Sequence, residues 1–252
     1  MEKIIEVKDI RLCYQSELSE VSALENISFD VYKGEFVSII GPSGCGKSTL
    51  LSIIAGLLEP TGGSVNILTD KGSGDVGYML QSDSLFPWRS IRNNCCLGLE
   101  ITNSKTKENL EYTDSLLKNY GLWEFRDSYP SELSGGMRQR AALIRTLAVK
   151  PQVLLLDEPF SALDYQTRLA VNDDIFRIIK NEKKTAVMVS HDISEAISMS
   201  DRVIVLSKRP GKVKSICTID FGKDRKMPLE CRERSEFKDY FNKIWRDIDV
   251  HV

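Results

Sequence analysis

The chain has 252 residues, 42 % of them hydrophobic and 28 % charged, enough for a sizeable core beneath a soluble surface in one large domain or two small ones. Its formal net charge of -2 argues against a general polyanion binder, so nucleic acid is not expected as a partner. No apolar run reaches the roughly 18 to 20 residues that span a bilayer, and the N-terminus lacks the apolar core of a secretory signal. The chain is therefore expected to stay in the cytosol. Six cysteines fit that compartment: Cys95 and Cys96 are adjacent and the others scattered, so they read as free thiols used as small apolar residues rather than as a zinc set.

In chain order, Ile5, Val7, Ile10 and Leu12, then Leu24, Ile27, Phe29 and Val31, read as an N-terminal β region, expected to be antiparallel. Residues 32–35 form a turn. Residues 36–40 are a short apolar run ending at Gly41, as a buried strand does. A helix is expected over 47–58, broken by the Pro-Thr-Gly-Gly of 60–63, with short strands at 65–68 and 76–80. From about 84 to 148 the pattern is mostly helical, through Leu110, Thr113, Leu116 and Leu117 and again over 137–149. The α/β rhythm then returns. Strands are expected at 153–156, 185–190, 202–206 and near 213–219, with helices at 163–180 and 193–199. In the charged tail, Phe237, Tyr240, Phe241, Ile244 and Trp245 recur at helical spacing and predict an amphipathic helix packed on the body. The fold expected is α/β: with the run G-x-x-x-x-G-K-[ST] at 41–48 between a strand and a helix, a phosphate-loop NTPase core with a mostly parallel sheet and flanking helices, an N-terminal antiparallel β subdomain and an inserted helical subdomain. The main domain spans 4–220, the insertion about 84–148, and the tail 221–252.

Two Gly-rich turns stand out. Gly41-Pro42-Ser43-Gly44-Cys45-Gly46-Lys47-Ser48 has the pattern G-x-x-x-x-G-K-[ST] with a strand before and a helix after. Glycines let the backbone wrap phosphate oxygens with its N–H groups, Lys47 supplies a point charge, and the Ser48 hydroxyl can ligate Mg²⁺. Far downstream, Ser134-Gly135-Gly136 precedes a second long helical pattern and offers another anion site at a helix N-terminus. One loop suffices for one nucleotide, so the second turn needs its own explanation. Cys45 lies beside Lys47 at a helix start, a setting that either lowers its thiol pKa or merely uses the thiol to fill the back of the loop.

Asp157 and Glu158 emerge after the apolar run 153–156, at the strand end where α/β sheets bind ligands. Asp157 would hold Mg²⁺, directly or through water, and Glu158 would polarise the water that attacks a γ-phosphate. His191, one of two histidines beside His251, follows another apolar strand. It could bond the γ-phosphate or the attacking water. Gln81 ends a strand, where its amide ligates Mg²⁺, positions water or simply leaves the sheet. Tyr14 either stacks an adenine ring or packs in the core.

In this order, Tyr14, residues 41–49, Gln81, the Leu-Ser-Gly-Gly-Met-Arg-Gln-Arg of 133–140, residues 153–158, Ser161-Ala162-Leu163-Asp164 and His191 resemble the ATP-binding cassette (ABC) ATPase family, specifically a transporter nucleotide-binding subunit. The resemblance covers nearly all of the chain. It implies ATP and Mg²⁺ as the bound species, with Lys47, Glu158 and His191 catalytic and Ser48, Gln81 and Asp157 on the metal. ATP would be held by Tyr14, Gly41, Pro42, Ser43, Gly44, Cys45, Gly46, Lys47, Ser48, Thr49 and Gln81. It also implies what the second turn serves: two subunits sit head to tail, so Ser134, Gly135, Gly136 and Asp164 would act in trans on the nucleotide of a second copy.

A finer resemblance, to nitrate/sulfonate/taurine importer ATPases, rests on Leu85-Phe86-Pro87-Trp88-Arg89-Ser90-Ile91-Arg92-Asn93-Asn94 with Leu97-Gly98-Leu99-Glu100, on Met137-Arg138-Gln139-Arg140, and on Asp201 to Ser207 followed by Arg209-Pro210-Gly211. It implies a transmembrane permease docking on residues 83–94, which open at Asp83, an extracytoplasmic solute-binding protein, a place on the cytoplasmic face of a prokaryotic membrane, and a small anion or sulfonate-like solute as cargo. Leu80 stands where an aromatic is common, and Cys95-Cys96 is unusual. Two other readings compete. A non-transport ABC ATPase of the DNA-repair or ribosome-associated kind would need a coiled-coil arm or tandem cassettes, and the insertion is too short for such an arm. A phosphate-loop kinase would leave the second turn and His191 without tasks.

Overall fold

The chain is described here from a computed structural model covering residues 2–16, 19–70, 72–222 and 227–248; His251 lies outside them. Strands β1 (Lys3–Ser16) and β2 (Ser19–Tyr32) pair antiparallel, and β4 (Gly62–Ile67) joins the other edge of β1. The buried positions of β1 run Ile5, Val7, Ile10, Leu12 and those of β2 run Leu24, Ile27, Phe29, Val31. Each series skips one extra residue, because Asp9 and Asn26 take positive φ values of 48° and 51° and the register shifts between Val7 and Ile10. A bulge of this kind resets the two-residue period so that the apolar side chains return to the inner face. Gly63 continues β4 at φ 84°, where an added Cβ would run into the Lys8 carbonyl beside that bulge. The Gly-Gly pair at 62–63 thus starts a strand rather than only breaking the preceding helix.

The central sheet has the order β5-β6-β7-β3-β8-β9. It comprises β3 (Phe36–Ile40), β5 (Val76–Met79), β6 (Val153–Asp157), β7 (Thr185–Val189), β8 (Arg202–Leu206) and β9 (Val213–Thr218). All neighbours are parallel except β8 and β9. β3 and β7 are buried at every residue, as strands covered on both faces must be.

Helix α1 (Lys47–Ile54) follows the first Gly-rich loop. It is shorter than the expected 47–58, since Gly56 at φ 71° ends it in the left-handed conformation that stops helices. Between β5 and β6 lie α2 (Ile91–Cys95), α3 (Leu97–Ile101), α4 (Lys107–Asn119) and α5 (Gly135–Leu147). Their apolar faces, through Leu116, Leu117, Ala141 and Ile144, join the same core as Leu154 and Leu156 of β6. Helix α5 begins two residues before the expected start because the Ser134 hydroxyl accepts from the Met137 N–H at 3.3 Å, an N-cap. Helix α6 (Tyr165–Asn181) begins two residues after the expected start, capped by Asp164, which accepts from the Thr167 N–H at 3.0 Å.

Helix α7 (Ile193–Met199) is capped by Asp192. Short α8 (Pro228–Cys231) and α9 (Ser235–Ile248) close the described chain. Ile244 of α9 is fully buried among Ile193, Ile197, Val203 and Cys217, with Phe237, Tyr240 and Phe241 alongside. Trp245 departs from the expectation: it is 52 % exposed and stacks on Phe241 at 5.9 Å. All six cysteines are free.

Candidate functional site

The first Gly-rich loop leaves β3 at Gly41 and enters α1 at Lys47. Gly44 and Gly46 take φ of 74° and 98°, values that cost a residue with a Cβ. At Gly41 a Cβ would lie 2.9 Å from both Cys45 Sγ and the Leu206 carbonyl. The loop therefore closes on itself, with the Cys45 N–H donating back to the Pro42 carbonyl at 3.3 Å, and a Gly-rich turn of this kind before a helix suits anions. Lys47 is buried and donates to the carbonyls of Gly41 at 2.9 Å and Pro42 at 3.2 Å.

The ends of the neighbouring strands bring three more groups to this loop. Asp157 at the end of β6 accepts from the Ser48 hydroxyl at 2.8 Å and the Tyr78 hydroxyl at 3.2 Å. Burial pushes the Tyr78 phenol up to about 12, so it remains a donor at neutral pH. Glu158 sits at φ 43°, a sparsely populated conformation for a residue with a Cβ. Its N–H is tied to the Val189 carbonyl at 3.0 Å. That backbone turn aims the carboxylate across the sheet end, where Oε2 lies 3.1 Å from His191 Nδ1 and accepts from Gln81 Nε2 at 3.4 Å. His191 is held by the turn around it. Asp192 caps α7, and the Ser190 hydroxyl donates to buried Glu195 at 2.7 Å while accepting from the Asp192 N–H at 3.0 Å. Burial raises the Glu195 carboxyl above its usual range.

Ser43, Gly44, Gly46, Lys47, Ser48, Thr49, Glu158, His191 and Arg209 line one open cleft of about 480 Å³. A slightly larger cleft of about 550 Å³, between α4 and α6, holds Arg140, Asp174, Arg177 and Glu182. Its charges are largely partnered within the chain: Arg140 and Arg177 pair with Asp174, and Glu182 accepts from Tyr112 and Tyr120, while Arg140 Nε is left without a hydrogen-bond partner. The smaller cleft alone combines an anion-binding loop with hard oxygen donors, a carboxylate and an imidazole. The Ser48 hydroxyl and Asp157 carboxylate suit a small divalent cation such as Mg²⁺.

Some residues singled out in the sequence lie outside this chain's own cleft. Tyr14 stands on β1, 47 % exposed rather than in the core, and does not line the cleft. Ser134, Gly135 and Gly136 begin α5 and do not line it either. Their glycines are packing positions: a Cβ on Gly135 would lie 2.9 Å from Leu163 Cδ2, and one on Gly136 2.7 Å from Val171 Cγ2. Asp164 caps α6, and hydrogen bonds from Thr167 hold its carboxyl below the usual range. For Cys45 the lowered thiol pKa is corrected. The side chain is buried, and burial pushes the thiol up against the opposing pull of Lys47.

Two residues were not expected at the site. Tyr78 falls inside a strand. Arg209 enters the sequence reading only within the importer-like run 209–211, yet Gly211 packs on the Cys45 carbonyl and exchanges backbone hydrogen bonds with Ala23 and Glu25, and Arg209 lines the cleft.

The family model for ABC transporter matches residues 24–161, a span that runs from β2 through the phosphate loop to the carboxylates after β6. The chain is 47 % identical to "Uncharacterized ABC transporter ATP-binding protein YtlC" of Bacillus subtilis, over 97 % of this chain and 95 % of that protein. It is 39 % identical to "Nitrate import ATP-binding protein NrtD" of Synechocystis, over 95 % and 93 %. A solved dimer of the ATP-binding cassette MJ0796, bound to ADP and Pi, superposes with a TM-score of 0.72 at 31 % identity, covering 87 % of this chain and 100 % of that one. The chain belongs to the ABC transporter family, as an ATP-binding subunit with ATPase activity. No helix among the described residues is long and apolar enough to cross a membrane.

Proposed function

We propose that the chain is the ATP-hydrolysing, energy-coupling subunit of a membrane importer for a small anion or sulfonate-like solute. One observation carries the catalytic part. The phosphate loop with Ser48, and the Glu158–His191 pair, line one cleft, with Asp157 bonded to Ser48 beside it, whereas the Ser134 turn lies outside it. A site with its phosphate cradle on one side and its second anion-binding turn elsewhere is completed by a second copy of the chain, head to tail.

In this reading the loop from Gly41 to Thr49 holds the ATP phosphates, Lys47 turns from its loop carbonyls to the outer phosphates, and Tyr14 stacks the adenine. Ser48, Asp157 and the Gln81 amide would hold Mg²⁺, which when bound would supply positive charge against the phosphate oxygens. Glu158 takes a proton from water as its oxygen bonds to the γ-phosphorus, and the bond to the β-phosphate oxygen breaks to release ADP. His191 orients the Glu158 carboxylate and the γ-phosphate. Ser134, Gly135, Gly136 and Asp164 serve the nucleotide of the partner copy.

The transport part is supported by the nitrate-import relative and by a surface at residues 83–94. There Trp88 is 71 % exposed and stacked on Phe86 at 5.0 Å, an apolar patch that suits a permease docking from the membrane side. An extracytoplasmic solute-binding protein would deliver the cargo, placing this subunit at the cytoplasmic face.

Mixing two inactive chains tests the shared site. Lys47→Ala and Ser134→Arg variants should each hydrolyse ATP poorly and recover a sizeable fraction of activity when combined, since one of the two sites is then intact. No recovery, together with full activity of isolated monomers, would sink the reading.

A further inference from the structure

The segment after Gln81 is pinned to the helix that starts at Ser134. Arg138 Nε donates to Asp83 Oδ2 at 2.9 Å, and the same guanidinium donates through NH1 to the Leu133 carbonyl at 2.6 Å. Arg145, one helical stretch further on, donates to the carbonyls of Ser84 at 2.7 Å and Asp83 at 2.8 Å. Asp83 in turn accepts from the Leu85 N–H at 3.2 Å. At the other end of the segment, Gln81 donates to Glu158 in the cleft.

Arg138 differs from Arg145 in what it joins. Arg145 bonds only backbone carbonyls of the segment. Arg138 bonds the segment's one carboxylate on one edge and the carbonyl preceding Ser134 on another, while its backbone N–H donates to the Ser134 carbonyl at 3.0 Å. A guanidinium is planar and rigid, so its two edges cannot move independently. A displacement of Asp83 must either tilt the fork against the Leu133 carbonyl or break one bond. The pair is part-exposed, at 35 % and 28 %, so its contribution to global stability is small; what it fixes is geometry.

We propose that Asp83 and Arg138 form a positioning pair that couples the segment after Gln81 to the Ser134 turn, and so sets how that turn meets the nucleotide of a second copy. The proposal rests on the shared-site reading above. It makes the Asp83 segment a two-ended link: one end touches the carboxylate of the cleft in its own chain, and the other holds the turn that serves the opposite cleft.

The test compares the full-length chain with Arg138→Met, Asp83→Asn, Arg138→Lys and the Arg138→Met/Asp83→Asn double variant. Binding of the fluorescent analogue mant-ATP reports the cleft in cis, and ATPase rate per chain against chain concentration reports dimer formation. The Arg138→Met and Asp83→Asn changes should leave mant-ATP binding within about twofold. Each should raise the chain concentration for half-maximal rate by about tenfold, the scale of one charge-assisted hydrogen bond. The double variant should be no worse than either single one, because the link is already cut. Arg138→Lys keeps the charge but loses the fork, and should stay shifted. Asp83→Asn alters a part-exposed residue with a near-isosteric one and keeps the test valid if Arg138→Met fails to fold. Additive shifts, a wild-type Arg138→Lys, or unshifted single variants overturn the positioning pair while leaving the shared site standing. A parent rate per chain that does not depend on concentration removes the shared site and the proposal together.

Discussion

His191 Nδ1 lies 3.1 Å from Glu158 Oε2, and Gln81 Nε2 reaches the same oxygen at 3.4 Å. One carboxylate oxygen thus gathers the ends of three parallel strands, β5, β6 and β7. The positive φ of Glu158 and its backbone bond to Val189 make that convergence possible. If Glu158 is the proton acceptor, Glu158→Gln should slow hydrolysis by roughly 10²- to 10⁴-fold, the usual share of a positioned base, with ATP affinity retained. Single-turnover hydrolysis beside equilibrium nucleotide binding checks this, and parallel loss of both would demote Glu158 to a structural ligand.

Lys47 bonds two loop carbonyls at 2.9 and 3.2 Å and is the loop's one cation. Lys47→Ala should weaken ATP binding at least about tenfold, in line with loss of a charge-assisted contact. Isothermal titration with ATP and Mg²⁺ would read it; unchanged affinity would mean that the backbone N–H groups alone hold the phosphates.

Cys45 is buried with its thiol pKa raised, and a thiolate is the reactive species. Iodoacetamide at pH 7 should therefore leave ATPase activity intact over a time in which a free thiol is consumed, and mass spectrometry should find Cys45 unmodified. Rapid loss of activity with Cys45 labelled, and protection by ATP, would restore the activated thiol.

Glu195 couples stability to pH. Burial raises its carboxyl from the ordinary 4.5, so the folded chain holds that proton more tightly than the unfolded one. Its contribution is greatest below about pH 4.5 and is lost as the pH rises through the raised value. Glu195→Gln stays neutral, so its Tm relative to the parent should climb from pH 4.5 toward neutrality. A difference that is flat across that range would mean that the ionised carboxylate is fully compensated by Ser190 and Arg168.

Gly63 carries φ 84° and has the Lys8 carbonyl where a Cβ would go. Gly63→Ala should cost roughly 2 to 4 kcal/mol, combining left-handed strain with a backbone clash. Urea denaturation gives the value, and a loss below about 0.5 kcal/mol would show that the β1 bulge yields freely.

The elements most legible in the sequence were those dictated over short range. The expected strands 36–40, 153–156 and 185–190 are predominantly apolar runs, and each falls within a residue or two of β3, β6 and β7. Helix ends were less legible, because caps decide them: Ser134, Asp164 and Gly56 moved the ends of α5, α6 and α1. Arg209 was invisible as a cleft residue, since its place depends on Gly211 packing against a loop more than 160 positions earlier in the chain.

By itself the sequence determined the phosphate loop, because eight consecutive residues contain the glycines, the lysine and the hydroxyl that such a loop requires, and the family resemblance, because the 133–140 run, the carboxylates at 157–158 and His191 follow it in order. Only the tertiary structure decided the rest. It buried the Cys45 thiol, which composition left free to be reactive. It brought Gln81, Glu158 and His191 to one oxygen by placing β5, β6 and β7 side by side. It also put the Ser134 turn outside the cleft and fastened it, through Arg138, to Asp83. Local chemistry is written in adjacent residues, whereas separation and contact between distant segments arise from the order in which strands pair.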